Sequence, residues 1–230
     1  MKHIIGILGG MGPAATADMF QKFIQLIPAS CDQNHIPLLI SSIPDIPDRS
    51  ACILNHQQDP EQHLLTYLHN LEKAGATCIV IACNTAHFWF DRLQAKSNVK
   101  MLSMIDSTVN CAVKMGVKKI GLLATNATVA TKLYQNALEK QGIDVVLPTT
   151  EGQDQVMESI YLYKAGKIEQ SVSLMEIEQQ ALLEQGAECI ILGCTEVPLI
   201  LSEAMKKQPH FYIDSTLELV KTAIDWYYQQ

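Results

Sequence analysis

The sequence has few of the features that membrane proteins and nucleic-acid-binding proteins need. Hydrophobic residues make up 48% of the chain, but none of its apolar runs approaches the roughly 20 residues that span a bilayer. Arginine occurs only twice, the lysines are scattered, and the formal net charge is −7. Because a phosphate backbone attracts clustered basic residues, this composition argues against a nucleic-acid partner as well as against a membrane partner.

Signs of export are also missing. The first residues pass directly into glycines, without the apolar segment and small-residue cleavage site of a signal peptide. The chain contains seven cysteines, an odd number that does not suit a disulfide framework. We therefore expect a cytoplasmic protein with reduced thiols.

Three segments of the first half recur in the same order in the second half. They are residues 2–16 and 118–131, residues 75–85 and 186–196, and the tetrapeptide Ile-Asp-Ser-Thr at 105–108 and 213–216. The members of each pair lie about half the chain apart, which is too far for the units of a solenoid. The repeats therefore predict two related α/β halves with a pocket between them.

Within each half, short apolar runs alternate with helical patterns. Runs such as CIVIAC and CIILGC are typical of parallel strands that are buried on both faces. Residues 61–73 and 171–185 have the pattern of helices. The sequence thus predicts an α/β fold with parallel sheets, in which functional residues follow the carboxyl ends of the strands.

Cys83 and Cys194 occupy matching places in the second repeat, each between an apolar strand and a predicted helix start. A helix N-terminus favours the thiolate and so lowers the pKa of a cysteine. Two such groups suit a reaction that removes a proton from one face of a carbon and returns one to the other face, which is racemisation. Backbone N–H donors for the developing carboxylate charge are expected at the two helix starts, from Asn84, Thr85, Thr195 and Glu196.

Neighbouring residues of the same types are interpreted as structural. Cys78 and Cys189 lie in the middle of the same predicted strands and are expected to be small buried hydrophobes. A zinc site is disfavoured, because the two thiols of each C-x4-C pair point to opposite faces of a strand. His87 lies one helical turn beyond Cys83 and is expected to pack beside Trp89 rather than to tune the thiol.

Two other classes of function are compatible with parts of the pattern. Residues 10–15 fit G-x-G-x-x-A, as in a nicotinamide-binding Rossmann domain. The acidic residue expected about 20 residues later at a strand end is absent, which disfavours that class. A binding protein that uses the pocket without chemistry is the other alternative.

The whole chain resembles the aspartate/glutamate racemase family. The resemblance depends on four motifs, which are GILGGMGP at 6–13, IPDR at 46–49, CNTAH at 83–87 and GCTEV at 193–197. It implies two pseudo-symmetric doubly wound α/β domains with the active site in the cleft between them, residues 1–100 and 210–230 forming the first domain and 101–209 the second. It also implies a homodimer and a mechanism without pyridoxal phosphate, another cofactor or a metal, in which Cys83 and Cys194 are catalytic.

Two departures from the glutamate racemases of this family favour aspartate as the substrate. Those enzymes usually have an Asp-Ser pair after the first strand and a His after the second cysteine motif. This chain has Gly10-Met11 and Glu196 at those places. Glutamate or broad-specificity racemisation, maleate isomerisation and malonate decarboxylation on the same scaffold are the alternatives.

A dicarboxylic amino acid needs a cation for its side-chain carboxylate. Arg49 is the first candidate, because it lies in a proline-punctuated loop after a strand and because the resemblance implies that it contacts substrate. Lys164 is the second candidate by the same resemblance. Thr125 is a candidate hydroxyl donor, and Met11 and Gly12 are candidate backbone donors, since glycine lets the chain approach a ligand closely.

Overall fold

A computed structural model describes residues 3–230 and contains two compact units. The first unit extends to Ser107 and resumes at Thr216, and the second unit is Thr108–Ser215. Each unit is built on a four-stranded parallel sheet. Among the described residues, no helix combines the length and the apolar character that crossing a membrane requires.

The two sheets have the same topology. The strands of the first unit are β1 (Ile5–Gly9), β2 (Leu38–Ser42), β3 (Cys78–Ile81) and β4 (Lys100–Leu102), in the order β2-β1-β3-β4. Those of the second unit are β5 (Lys119–Ala124), β6 (Asp144–Val146), β7 (Cys189–Gly193) and β8 (Tyr212–Asp214), in the order β6-β5-β7-β8. The predicted pair of related α/β halves with parallel sheets is therefore confirmed.

Helices cover the faces of each sheet. In the first unit they are α1 (Pro13–Leu26), α2 (Arg49–Asn55), α3 (Glu61–Lys73) and α4 (Phe90–Gln94). The chain passes from one unit to the other within α5 (Met104–Met115) and within α12 (Ser215–Tyr228). In the second unit they are α6 (Asn126–Ala130), α7 (Leu133–Glu139), α8 (Thr150–Lys164), α9 (Ile168–Glu184), α10 (Val197–Ile200) and α11 (Ser202–Lys207). Short 3-10 segments lie at Asp32–Asn34, Thr85–Trp89 and Pro209–Phe211. The helix predicted at 61–73 coincides with α3. The helix predicted at 171–185 overlaps α9, which begins three residues earlier and ends one residue earlier.

Strand β3 is apolar along its whole length because it contributes to a core on each face of its sheet. Ile79 belongs to the same buried cluster as Leu68 of α3. The next residue, Val80, belongs to the opposite cluster together with Phe23 of α1. Burial of such side chains contributes about 1.5–3 kcal/mol each, so these central strands are where the sequence signal for the fold is strongest.

The last helix returns to the first unit. Leu219, Val220 and Ala223 of α12 are fully buried in the cluster that contains Phe23. The chain therefore closes the first core with its final segment, although β8 and the residues before it belong to the second unit.

The repeated glycines Gly6 and Gly121 have a packing role. A Cβ at Gly6 would lie 3.0 Å from the Cβ of Ala76, and one at Gly121 would lie 3.1 Å from the Cβ of Leu182. Such distances are shorter than comfortable carbon contacts, so the missing side chain allows close packing over β1 and β5. This explains why the glycine recurs in both halves.

Candidate active site

Cys83 lies just beyond the carboxyl end of β3, a central strand of the first sheet. The backbone N–H of Ala82 still donates to the carbonyl of Leu8, over 2.9 Å, so the chain leaves the sheet directly before the cysteine. Cys83 is only 6% exposed, and Asn84 and Thr85 are also buried. The thiol therefore lies at the sheet edge where parallel α/β proteins place their reactive groups.

His87 anchors the backbone of Cys83 instead of contacting its sulfur. Its Nδ1 donates to the Cys83 carbonyl over 2.8 Å, and its Nε2 accepts from the backbone N–H of Met104 over 3.0 Å. The ring stacks on Phe90, with 5.4 Å between centroids. Burial lowers the pKa of His87 to about 4. The expected packing role is confirmed, with Phe90 rather than Trp89 as the stacked ring.

Arg49 connects the loops that follow β1 and β2. It is the first residue of α2, and the Asp48 side chain caps that helix by accepting from the N–H of Ala51. The Arg49 guanidinium donates to the carbonyls of Ile46 and Pro47 over 3.0 and 3.1 Å. It also donates to the carbonyl of Met11 over 3.5 Å. The cation is thus held at the same edge of the sheet as the glycine-rich loop.

The glycine-rich loop after β1 is pressed against the loop after β2. Gly10 has φ +90°, and a Cβ there would overlap the backbone of Ile43. Its N–H donates to the hydroxyl of Thr16 over 2.9 Å. Met11 is buried in the cluster that also contains Cys83. The first unit therefore brings Met11, Arg49 and Cys83 to one region, while their roles in substrate binding and catalysis stay predictions.

Cys194 lies directly after β7, the strand of the second sheet that corresponds to β3. It is 5% exposed, and its thiol donates a hydrogen bond to Oε2 of Glu196 over 3.1 Å. The hydroxyl of Thr195 donates to the same oxygen over 3.4 Å. Glu196 is 2% exposed, so its carboxylate and the thiol share a buried environment.

The environment of Cys194 contradicts the expectation that a helix start lowers its pKa. Burial raises the pKa of Cys194 well above its usual range, and the charge of Glu196 raises it further, whereas Lys164 and the backbone N–H of Glu196 lower it. The helix that follows, α10, has only four residues, and the segment after Cys83 is a 3-10 helix of five residues. Such short helices have little macrodipole to set against desolvation and a neighbouring carboxylate.

Lys164 and Thr125 lie in the second unit. The Nζ of Lys164, at the end of α8, is 3.5 Å from Oε1 of Glu196, and the lysine side chain is 40% exposed. Thr125 caps α6, since its hydroxyl oxygen accepts from the backbone N–H of Thr128. The Thr125 hydroxyl also donates to the hydroxyl oxygen of Thr128. The structure thus joins Lys164 to the Cys194 loop, while the contact of Thr125 with substrate stays a prediction.

Sequence reasoning assigned Glu196 a backbone role and missed its side chain. The local signal was its position two residues after a predicted catalytic cysteine, and Lys164 approaches it from another part of the chain, the end of α8. Gln153 was also missed, and its amide donates to the carbonyl of Ala124 and to the side chain of Asn126 at the end of β5. Gln153 and Lys164 both lie on α8, whose placement the sequence pattern does not specify.

The two cysteines inside the strands, Cys78 of β3 and Cys189 of β7, remain protonated thiols near neutral pH. Burial raises the pKa of Cys78 and of Cys189 to about 12, and both side chains are fully buried. Within residues 3–230, no three His, Cys, Asp or Glu side chains form a group that could hold a metal ion.

Comparisons with known proteins show the family to which the chain belongs. A family model described as Asp/Glu/Hydantoin racemase matches residues 8–223. The structure of an aspartate racemase from Picrophilus torridus is 32% identical, with a TM-score of 0.89, and the match covers 98% of this chain and 94% of that one.

Two curated proteins are similar as well. The broad specificity amino-acid racemase RacX of Bacillus subtilis (strain 168) is 28% identical over 228 residues, which cover 97% of this chain and 98% of RacX. A glutamate racemase from Aquifex pyrophilus is 33% identical over 139 residues, covering 59% of this chain and 52% of that protein. The chain therefore belongs to the Asp/Glu/Hydantoin racemase family and is an isomerase, a racemase of that family.

Proposed function

We propose that the protein interconverts L- and D-aspartate without pyridoxal phosphate, using Cys83 and Cys194 as its two acid/base residues. The observation that carries the proposal is their equivalence. Each thiol follows the corresponding strand, β3 or β7, of two sheets with the same strand order, and each is almost fully buried. A duplicated pair of buried strand-end thiols is expected where one reaction needs the same group twice.

The proposed step conserves protons and electrons. The thiolate of one cysteine takes the α-proton, and the electron pair of the broken C–H bond stays on the substrate as a carbanion delocalised into the α-carboxylate. The thiol of the other cysteine then gives its proton to the opposite face of the carbon. Each turnover exchanges the protonation states of the two cysteines, and the reverse reaction restores them.

The candidate substrate-binding groups support a dicarboxylic substrate. Arg49 provides a guanidinium fork at the sheet edge of the first unit, a geometry that suits carboxylates. Lys164 provides a half-exposed ammonium in the second unit. Gly10-Met11 and Glu196 stand where glutamate racemases usually have Asp-Ser and His, and the similar protein from Picrophilus torridus is named an aspartate racemase. These observations favour aspartate over glutamate.

Proton exchange gives the most direct test. L-aspartate is incubated with the purified protein in deuterium oxide, without added pyridoxal phosphate or metal, and followed by proton NMR and optical rotation. Loss of the α-proton signal together with falling rotation is the expected result. Exchange without loss of rotation, or no exchange at all, would contradict cofactor-free racemisation of aspartate.

Substitution of the two thiols tests the mechanism. Cys83→Ser and Cys194→Ser should each reduce kcat by about 10²–10⁴-fold, the usual contribution of a general acid or base. Cys31→Ser and Cys111→Ser are matched controls, because these thiols lie outside the two strand-end loops, and they should retain wild-type activity. Full activity in either Cys83→Ser or Cys194→Ser would refute the two-base assignment.

Racemisation of several amino acids is the second candidate function. It is favoured by the alignment with RacX, which extends over nearly the whole of both chains. A panel of L-amino acids in the same deuterium-exchange assay separates the two, since an aspartate racemase should exchange aspartate far faster than the others. Turnover of maleate or of a malonate in place of amino acids would assign the chain to the other chemistries expected on this scaffold.

A further inference from the structure

The loop after β7 gives the proton of Cys194 a defined acceptor. The Sγ of Cys194 donates to Oε2 of Glu196 over 3.1 Å, and the hydroxyl of Thr195 adds a weaker contact to the same oxygen. Both the cysteine and the glutamate are almost fully buried. An ionised carboxylate in such a place needs compensation, because desolvation of a charge is costly.

Lys164 supplies that compensation. Its ammonium lies 3.5 Å from Oε1 of Glu196, so the carboxylate lies between the thiol on one side and a partly solvated cation on the other. The three groups come from two elements, since Lys164 ends α8 while Cys194 and Glu196 lie in the loop between β7 and α10. The arrangement is a thiol–carboxylate–ammonium chain within the second unit.

We propose that Glu196 is a positioning residue that keeps the proton on Cys194 in the resting enzyme, with Lys164 moderating its effect, so that Cys194 begins the cycle as the proton donor. The inference rests on the proposed two-base racemisation and adds to it an asymmetry between the two cysteines. Cys83, which has no carboxylate two residues later in the chain, then begins as the base.

The surrounding charges are consistent with this assignment. Burial and the Glu196 carboxylate raise the pKa of Cys194, and Lys164 acts in the opposite direction. Tyr134 of α7 and Asp214 of β8 also lie nearby, and burial raises the pKa of Tyr134, so it stays neutral. Glu178 of α9 faces Gly152 instead. Glu196 and Lys164 are therefore the charged groups that change the pKa of Cys194, the first raising it and the second lowering it.

The proton transfers balance under this assignment. When Cys194 gives its proton to the carbanion, its S–H bond breaks, a C–H bond forms, and the electron pair of the S–H bond remains on sulfur. The new thiolate then lies beside the Glu196 carboxylate and Lys164. Repulsion by the carboxylate favours the return of a proton to Cys194, and the ammonium limits that repulsion.

Alkylation of Cys194 tests the inference without any substrate. The rate of carbamidomethylation by iodoacetamide at fixed pH follows the thiolate fraction, and fragment-ion mass spectrometry separates Cys194 from Cys189. Glu196→Gln should speed the reaction of Cys194 about tenfold, because removing the neighbouring negative charge lowers the pKa of the thiol and so raises its thiolate fraction. Lys164→Met should slow the reaction.

The two substitutions are expected to change the alkylation rate in opposite directions, which distinguishes an electrostatic role of Glu196 from a structural one. If the two substitutions only loosened the loop, both would speed alkylation, and that result would overturn the proposal, as would unchanged rates. If Glu196→Gln fails to fold, as judged by circular dichroism, the test depends on Lys164→Met alone. An alkylation rate of Cys194 that is unchanged or raised in that variant would then overturn the proposal. Glu203→Gln and Lys206→Met remove the partners of a comparable pair on α11 and should leave Cys194 unaffected.

Kinetics separate this inference from the proposed function. In an active racemase, Glu196→Gln should move the high-pH limb of the kcat/KM profile to lower pH, and Glu196→Asp should restore part of the shift. Racemisation with no effect of Glu196→Gln on alkylation or on this limb would remove the inference and leave the proposed function. The expected alkylation rates without racemisation would remove the proposed function and leave Glu196 as the group that holds the Cys194 proton.

Discussion

The imidazole of His87 is fixed as a single neutral tautomer by the backbone N–H of Met104. Nε2 accepts from that N–H over 3.0 Å, so the ring proton must be on Nδ1, which donates to the carbonyl of Cys83. A second ring proton would face an N–H donor inside the core. Protonation of the ring would therefore break the hydrogen bond that it accepts from Met104.

Stability should fall as this histidine is forced to take up a proton. Burial lowers the pKa of His87 from 6.5 to about 4, so between these values the unfolded chain binds a proton that the folded chain does not. The folded state is favoured fully above pH 6.5 and progressively less as pH falls towards 4. Urea unfolding should show a loss on the order of 2 kcal/mol between pH 7 and pH 5 from this residue.

His87→Gln should be less stable than wild type at pH 7 and should have a flatter pH dependence over the same interval. His210→Gln replaces an exposed histidine and should keep the wild-type slope. An unchanged slope in His87→Gln would show that another group causes the pH dependence.

Glu72 should control stability in a more acidic interval. Burial raises the pKa of Glu72, but hydrogen bonds from His69, Asn98 and Ser97 outweigh this effect and lower it to about 2. The resulting stabilisation is complete above the ordinary value of 4.5 and is lost as pH falls towards 2. Glu72→Gln should therefore unfold at lower urea concentration at pH 7 and lose less stability than wild type between pH 4.5 and pH 2.

The surface carboxylate of Glu203 provides the control for that experiment. It forms an ion pair with Lys206, but both side chains are largely exposed, so solvent screens the interaction. Glu203→Gln should leave the urea midpoint unchanged at both ends of the pH range. Equal effects of Glu72→Gln and Glu203→Gln would disprove a special role for the hydrogen-bonded carboxylate of Glu72.

Gly10 should not tolerate a side chain. Its φ of +90° is unfavourable for other residues, and a Cβ would overlap the backbone of Ile43. Gly10→Ala should cost at least about 2 kcal/mol, because the strained φ and the clash add together. Gly116→Ala is the matched control, since Gly116 also has positive φ but nothing lies within 4 Å of its Cβ position. It should cost about 1 kcal/mol in urea unfolding.

Arg49 should be replaceable neither by alanine nor by lysine. Its Nη1 donates to the carbonyls of Ile46 and Pro47, and its Nη2 donates to the carbonyl of Met11. A lysine has one terminal nitrogen and cannot reproduce this set of contacts. Arg49→Lys should raise KM for aspartate about tenfold or more, equivalent to about 1.4 kcal/mol.

The other arginine allows a comparison under identical conditions. Arg92 pairs with Glu61 and lies over the rings of Phe88 and Trp89. Arg92→Lys should leave KM at the wild-type value. An equal rise of KM in the two variants would mean that Arg49 does not bind the substrate carboxylate.

The sequence alone predicts the strands of this protein, its two related sheets and the positions of the two cysteines. The runs around Cys78 and Cys189 predict buried parallel strands because every residue of a strand covered on both faces must be apolar. The repeat predicts two sheets of one topology, and it places Cys83 and Cys194 at equivalent strand ends. These features depend on local periodicity and on order along the chain, which a sequence displays directly.

The charge state of the site was decided only by the tertiary structure. Local sequence favoured a lowered pKa for Cys194, but its loop turns the Glu196 carboxylate onto the thiol, and α8 brings Lys164 to the same carboxylate from 32 positions away in the chain. Likewise, His87 finds its second partner at Met104, beyond β4. Periodicity specifies which face of an element is buried, but the pairing of polar atoms depends on how elements pack, because hydrogen bonds are decided by differences of a few tenths of an ångström.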